Sequence, residues 1–286
     1  MIDLHTHTNE SDGTYSAAEL VNAAVSAGLE ALAITDHDTL AGYDGAEAVA
    51  RAAGLDLICG IELSTRFHGR SVHLLGYFVH SPPAREFREW LRGLQESRRD
   101  RNRRLIDRLR SLGVEISLEE VQAKGRSMTG RPHFARVLIE KGYVATIDEA
   151  FQQYLDESAK GYVQRQEVPM HEGIERVKKA GGITSLAHPI RVSRRLERAE
   201  GHGKHDELDQ WVAELREMGL GAIEAFHSDH RPPDVARYLD MARRFELAVT
   251  GGSDFHGANK PRIELGLGFE GNLNVPRSVL DRLRAM

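Results

Sequence analysis

The chain repeatedly runs a short apolar stretch straight into histidines and carboxylates, and the first instance is its opening, where Ile2-Asp3-Leu4 leads into His5-Thr6-His7, with Asp12 five residues further on. In a strand, residues i and i+2 face the same side, so His5 and His7 present two imidazoles to a common point where the strand ends. A His-x-His pair is by itself a weak metal signal. Its weight comes from the rest of the chain. The run EALAIT at 30–35 stops at Asp36-His37-Asp38, LDLICGIELS at 55–64 carries Glu62 near its end, and SVHLLGYF at 71–78 carries His73. Later, ITSLA at 183–187 runs into His188-Pro189 and AIEAF at 222–226 into His227-Ser228-Asp229-His230. The last strand, expected over 247–250, runs into Gly251-Gly252-Ser253-Asp254-Phe255-His256.

Helices are expected between these runs. Ser16 with Glu19 forms a capping box ahead of a helix over 16–25, and Gly54 and Gly181-Gly182 stop helices over 42–53 and 170–180. Further helices are expected over 206–218, 233–245 and 276–284. Strand–helix alternation of this kind predicts a parallel α/β fold whose buried strands deliver polar side chains at their C-terminal ends. In βα barrels those ends share one face. Such a face gathers His5, His7, Asp12, His37, Glu62, His73, His188, Asp254 and His256. Nitrogen and oxygen donors in that number exceed what one divalent cation needs and suit two or three ions, with Glu62 as a bridging carboxylate. Taken singly, His73 reads equally as a hydrogen-bonded core histidine and His188 as the turn before Pro189.

From about residue 82 to 168 the strand signal lapses and helix starts replace it, with Ser117–Glu120 and Thr146–Glu149 fitting the capping box. The expected organisation is therefore a barrel from 1–82 and 168–286, with a helical insertion at 83–167 covering the active-site face. The insertion carries an arginine-rich run at 97–110 above an apolar stripe of Leu105, Ile106, Leu109 and Leu112. Two readings of the run stand side by side: a solvated face whose arginines pair with nearby acids, and an electropositive wall over an anionic substrate.

The net charge of −5 argues against adhesion to long duplex nucleic acid or to an anionic membrane. Cys59 is the only cysteine, so no internal disulfide forms and metal ligands must be nitrogen or oxygen. With no export signal and no apolar run of membrane length, a cytoplasmic location without membrane contact is expected.

The segments DLHTHTNESDG, AITDHD, GIELS, VHLLGY, LAHP and TGGSDFH, in this order, resemble the polymerase-and-histidinol-phosphatase (PHP) family of metal-dependent phosphoesterases. The resemblance covers the barrel and implies a distorted seven-stranded (β/α) barrel with a trinuclear site. By the family's pattern one ion takes His5, His7, Glu62 and Asp254, a second Asp12, His37 and His256, and a third Glu62, His73 and His188. The implied cofactors are two to three divalent ions, with manganese expected first and iron(II) or zinc compatible with the same ligands. Gly130-Arg131-Pro132-His133 and Ala187-His188-Pro189-Ile190-Arg191 resemble the stand-alone branch, which includes nucleoside 3′,5′-bisphosphate phosphatases and enzymes trimming short oligoribonucleotides from the 5′ end. The expected substrate is thus a small phosphorylated one, a nucleotide or short oligoribonucleotide. Arg131, His133 and Arg191 are its candidate contacts, the guanidinium fork matching phosphate geometry.

The expected reaction is attack of a metal-activated hydroxide on phosphorus, releasing the 3′-phosphate and leaving a nucleoside 5′-monophosphate. His227 or His230 is the candidate general acid, and Glu224 a support behind the ligands. Rival readings are a histidinol phosphate phosphatase, a metal-dependent amidohydrolase or deaminase, and a non-catalytic PHP regulatory module. Asp12, His37 and the His256 beside Asp254 favour the phosphoesterase over the amidohydrolase.

Overall fold

The structure, a computed structural model, describes residues 1–286 apart from 126–128, 165–166 and 201–204, with the backbone alone at 198–200 and 205–206. The first half-barrel runs β1 (Ile2–Thr6), α1 (Ala17–Ser26), β2 (Ala31–Ile34), α2 (Ala41–Ala53), β3 (Asp56–Phe67) and β4 (Arg70–Phe78). A helical stretch comes next: α3 (Arg85–Ser111), α4 (Leu118–Gln122), α5 (Arg131–Glu140) and α6 (Ile147–Ala150), which passes into a π-helical turn at Phe151–Leu155. The chain then returns through β5 (Val168–Pro169), α7 (Met170–Lys179), β6 (Ile183–Leu186), α8 (Pro189–Glu200), α9 (His205–Glu217) and β7 (Ala222–His227). It ends with α10 (Pro232–Arg244), β8 (Ala248–Gly252) and α11 (Arg277–Arg284).

The sheet order is β1-β2-β3-β4-β6-β7-β8, with the short β5 pairing to β3. All pairings along it are parallel except those of β4, which runs antiparallel to both β3 and β6. Past the last strand the sheet nearly closes on itself: Asp254 N–H donates to His5 C=O at 2.8 Å and His7 N–H to Phe255 C=O at 2.9 Å. This is the distorted seven-stranded barrel expected from the resemblance. Val279, Leu280 and Leu283 of α11 pack with Ile2, Leu4, Leu75 and Tyr77, so the last helix belongs to the same apolar cluster as the first strand.

Local signals explain most boundaries. Ser16 and Glu19 form the anticipated capping box, and Gly54 ends α2 at φ 69°. β3 extends beyond the expected end because it continues into a hairpin, turned by His68 and Gly69 at φ 45° and 74°. Two consecutive positive φ values match the right-handed twist of paired strands. α8 is absent from the expected helices, although Pro189 at its first position is a recognised start signal; it carries Arg191 and Arg195.

The stretch between β4 and β5 has an apolar cluster of its own, in which Leu105, Ile106 and Leu109 of α3 meet Phe134, Leu138 and Leu155. The reading of arginines paired with nearby acids holds at two residues of the run, in different surroundings. Arg103 is exposed and pairs with Asp100 at 2.6 Å, whereas Arg98 and Arg101 are buried. Arg98 ties α3 to the barrel: its guanidinium pairs with the buried Asp38 carboxylate and donates to Ser64 Oγ at 3.1 Å. Asp38 also accepts from Ser64 N–H at 2.9 Å, and Gln95 Nε2 donates to the Asp38 carbonyl at 3.1 Å.

Removing one member of a buried pair strands the other charge. Arg98→Met is therefore expected to lower stability by about 3–5 kcal/mol in urea unfolding, and Asp38→Asn/Arg98→Met to recover at least half of that loss. A double variant no more stable than Arg98→Met would contradict the clamp.

Candidate metal centre

The site is built around one carboxylate. Glu62, almost fully buried on β3, has five imidazoles turned on it. His5 Nε2, His7 Nε2 and His37 Nδ1 lie 3.3, 3.1 and 3.3 Å from Oε2, while His73 Nδ1 and His188 Nε2 lie 2.7 and 2.9 Å from Oε1. Asp254 Oδ1 completes one group, 3.6 Å from His5 Nε2 and 3.4 Å from His7 Nε2. Asp12 centres another, with Oδ1 at 3.2 Å from His256 Nε2 and Oδ2 at 3.7 Å from His37 Nε2. All nine residues singled out in the sequence are thus brought to one place.

The donor atoms form clusters tight enough to share ions. His5, His7, Glu62 and Asp254 form one, His7, Asp12, His37 and His256 a second, and His37, Glu62 and His73 a third, each with ligand atoms within 4.8 Å of one another. The first reproduces the set drawn from the family pattern. The second adds His7 to the expected set of Asp12, His37 and His256, and the third has His37 where that pattern has His188, although His188 and His73 both meet Glu62 Oε1.

These residues fit divalent cations. Ligands bound about 2.1 Å from a shared ion at about 90–109° sit roughly 3.0–3.4 Å apart, the spacing seen at His7 and Glu62. His7 Nε2 has that spacing yet makes no hydrogen bond, and His37 Nδ1, 3.3 Å from Glu62 Oε2, is likewise buried without a hydrogen-bond partner. Nitrogens that face carboxylates without hydrogen-bond geometry are arranged as ligands rather than as donors.

A surrounding layer fixes the ligands. Glu224, fully buried on β7, accepts from His5 Nδ1 at 2.8 Å and from His188 N–H at 2.6 Å. The proton held on His5 Nδ1 leaves the Nε2 lone pair facing the centre. Asp36 accepts from Thr8 N–H, Thr8 Oγ1 and Ser11 Oγ at 2.8, 2.6 and 2.5 Å, shaping the loop that carries Asp12. His188 and Asp254 hold left-handed backbones at φ 29° and 56°. Non-glycine residues keep such conformations where neighbours hold them. Here the Glu224 carboxylate and the His5 carbonyl do so.

Charge matches the same layout. Burial works against the ionised carboxylates, but His37, His73 and His5 hold Glu62 well below the usual range, and Lys260 and Arg191 do the same for Asp254. Burial likewise opposes a charge on His7, yet Asp254, Glu62 and Asp12 outweigh it and push the ring up to about 9. His37 goes the other way, driven by burial down to about 3 against the pull of Glu62 and Asp12.

A cavity of about 450 Å3 opens over the centre, lined by Asp12, His37, Glu62, His73, Asp254 and His256 on the barrel side. Arg131, His133 and Arg191 also line it. Arg131 donates to Leu155 C=O at 3.2 Å, His133 Nδ1 accepts from Gly130 N–H at 3.0 Å, and Arg191 bonds Asp229 and Asp254 at 2.8 and 2.7 Å. His227 and His230 lie outside that lining. His227 Nδ1 accepts from Asp229 N–H at 2.9 Å, which turns Nε2 toward Asp254 Oδ2 at 3.4 Å, and His230 Nδ1 donates to Ala225 C=O at 2.8 Å.

The PHP domain family matches residues 3–218. The chain belongs to this family. Among curated relatives, the 5′-3′ exoribonuclease of Haemophilus influenzae is 31% identical over 89% of both chains. The phosphoribosyl 1,2-cyclic phosphate 1,2-diphosphodiesterase of Eggerthella lenta is 34% identical over 89% of this chain and 94% of its own. The 3′,5′-nucleoside bisphosphate phosphatase of Chromobacterium violaceum is 28% identical over 93% and 90%. A solved structure from Bifidobacterium adolescentis, described as of a metal-dependent phosphoesterase, superposes with a TM-score of 0.82 at 32% identity, covering 99% of this chain and 95% of that one. This PHP chain is a metal-dependent phosphoesterase. No described helix is long and apolar enough to cross a membrane.

Several residues of the PHP site carry no sequence signal that singles them out. Lys260 places Nζ 2.5 Å from Asp254 Oδ2, the oxygen that Arg191 also takes, which leaves Oδ1 for the centre. Arg195 of α8 lines the cavity and donates to Ser71 C=O at 2.7 Å. Neither belongs to a motif. Arg195 has only its spacing from Arg191 as a signal, four residues apart on one helical face.

Two outcomes are expected from this arrangement. His7 is protonated at pH 7 without an ion, so ion uptake must displace its proton. Affinity for divalent ions should rise with pH toward about 9, with proton release visible as buffer-dependent heats in calorimetry; heats independent of buffer would contradict this. Glu224→Gln, which removes the negative charge behind the His5 ring, should weaken metal affinity by roughly 10- to 100-fold, as loss of such supporting carboxylates does.

Proposed function

We propose that this phosphoesterase removes the 3′-phosphate of nucleoside 3′,5′-bisphosphates, giving a nucleoside 5′-monophosphate, with 5′-end trimming of short oligoribonucleotides as a related activity. The observation that carries the reading is a cluster of three guanidiniums beside the cage. Arg131 of α5 and Arg191 and Arg195 of α8 line one cavity, close enough that Arg195, partly desolvated there, is lowered further by the charges of the other two. Arg191 is already paired with Asp229 and Asp254, and a bound anion would offset the repulsion that Arg195 meets from Arg131 and Arg191. A cage that takes one phosphate and an arginine cluster that takes another fit a substrate bearing two. The bisphosphate phosphatase and exoribonuclease among the relatives act, by their names, on nucleotide and RNA phosphoesters.

Two or three divalent ions, manganese foremost, would be held by His5, His7, Asp12, His37, Glu62, His73, His188, Asp254 and His256, and would supply Lewis acidity and an activated water. The chain's own residues do the rest. Glu224 and Asp36 keep the ligands oriented, Arg191 stands between Asp254 and the cavity, and Arg131 and Arg195 clamp non-bridging oxygens through bidentate geometry. His133, buried at the start of α5, shapes the wall beside Arg131. His227, turned toward Asp254, and His230 behind it are the proposed candidates for supplying the leaving-group proton from outside the cavity lining. Histidinol phosphate is disfavoured because its ammonium group would meet the same guanidiniums.

Phosphate release should be measured with adenosine 3′,5′-bisphosphate, adenosine 3′-monophosphate, histidinol phosphate, a cyclic ribose phosphate and a short oligoribonucleotide. The bisphosphate is expected to have the highest kcat/KM, and Arg195→Ala to raise its KM by about 10-fold or more while leaving the 3′-monophosphate within twofold. Faster turnover of a single-phosphate substrate would sink the assignment. Asp254→Asn should abolish turnover of every ester without loss of cooperative unfolding.

A further inference from the structure

The cavity has an apolar wall that phosphate binding leaves unexplained. Ile147, Phe151, Tyr162 and Val163 all line it, and all come from the helical stretch between β4 and β5. Ile147 is 41% exposed where it lines the cavity. Phe151 opens the π-helical turn Phe151–Leu155. Such turns are rare and frequent at functional sites, since the extra residue re-aims the side chains around it.

The wall has a defined place relative to the cage. Asp254 bonds Arg191 at 2.7 Å, Arg191, Arg195 and Arg131 line the same cavity, and the Arg131 guanidinium lies 5.8 Å from the centre of the Phe151 ring. One cavity therefore holds the metal ligands, three cations and an aromatic face. Tyr162 lines the same cavity. The volume, about 450 Å3, lies within the roughly 300–1,000 Å3 usual for small-molecule sites.

We propose that Phe151, with Tyr162, Ile147 and Val163, forms a stacking wall for the nucleobase of the substrate. The inference rests on the nucleotide reading above and names the part of the ligand that reading leaves unassigned. A phosphate has no use for an apolar aromatic surface, whereas a purine or pyrimidine stacks on one over its whole planar face with little regard to its identity. The wall thus confers a requirement for a base without strong selection among bases. The same surface separates nucleotides from simple sugar phosphates, which could otherwise satisfy the cage and the arginines.

Calorimetric titration of the metal-loaded protein with adenosine 5′-monophosphate and with ribose 5-phosphate isolates the base. The nucleotide is expected to bind about 10-fold tighter or more. Phe151→Leu, which keeps apolar bulk but removes the π face, should weaken the nucleotide alone, and Phe151→Trp should preserve its advantage. Equal affinity of the two ligands for the wild-type protein, undetectable binding of both included, overturns the wall; so does equal weakening of both in Phe151→Leu. The readout is independent of turnover. A protein that hydrolyses no nucleoside bisphosphate but still prefers adenosine 5′-monophosphate to ribose 5-phosphate loses the proposed substrate and keeps the wall. A protein that hydrolyses the bisphosphate without that preference does the reverse.

Discussion

Everything around the centre is arranged to keep one carboxylate ionised in a place where water cannot reach it. Glu62 is 1% exposed, and a lone carboxylate at such a site would take up a proton rather than remain charged. Five histidines on four segments prevent that, His5 and His7 sharing the end of β1 while His37 follows β2, His73 lies on β4 and His188 follows β6. The barrel is thus more than a scaffold for the cage: the spacing between β1, β2, β3, β4 and β6 sets how far each ring stands from the same two oxygens. The electrostatic demand of Glu62 and the geometry of the sheet specify one another.

Much of this is legible in the sequence for a simple reason. A parallel strand covered on both faces reads as an unbroken apolar run, so the residue at which polarity resumes marks the rim. His5, His37, His188 and Asp254 are all readable from that change. The same rule does not reveal direction. His227 and His230 follow the apolar run of β7 in the same pattern, but His227 accepts from the Asp229 amide and points at Asp254, and His230 donates back to Ala225, so neither lines the cavity. The turn geometry after each strand decides this, and apolar patterning does not encode it. Lys260 is illegible for another reason, since it lies in an irregular loop and meets Asp254 only through the path of the backbone. The reversed direction of β4 rests on the two residues His68 and Gly69, too local a signal to stand out against the strand–helix rhythm.

The charge of the chain as a whole gives no hint of its cavity. A net charge of −5 coexists with a pocket whose wall includes Arg98, Arg101, Arg131, Arg136, Arg191 and Arg195. Field depends on local placement and low-dielectric walls rather than on the sum over the surface. Here the acids that balance the total, such as Asp56 between Arg277 and Arg284, sit largely elsewhere, in ion pairs that hold α11 to β3.

The closure of the sheet has a consequence for the order in which the centre can come into being. His5 and His7 are joined through backbone hydrogen bonds to Asp254 and Phe255, so the first and last ligand segments depend on each other. During synthesis the N-terminal histidines emerge long before the strand that secures them. A nascent chain that has not yet released β8 therefore carries two imidazoles of an unfinished cage, and metal capture belongs to the final stage of folding rather than to its nucleation.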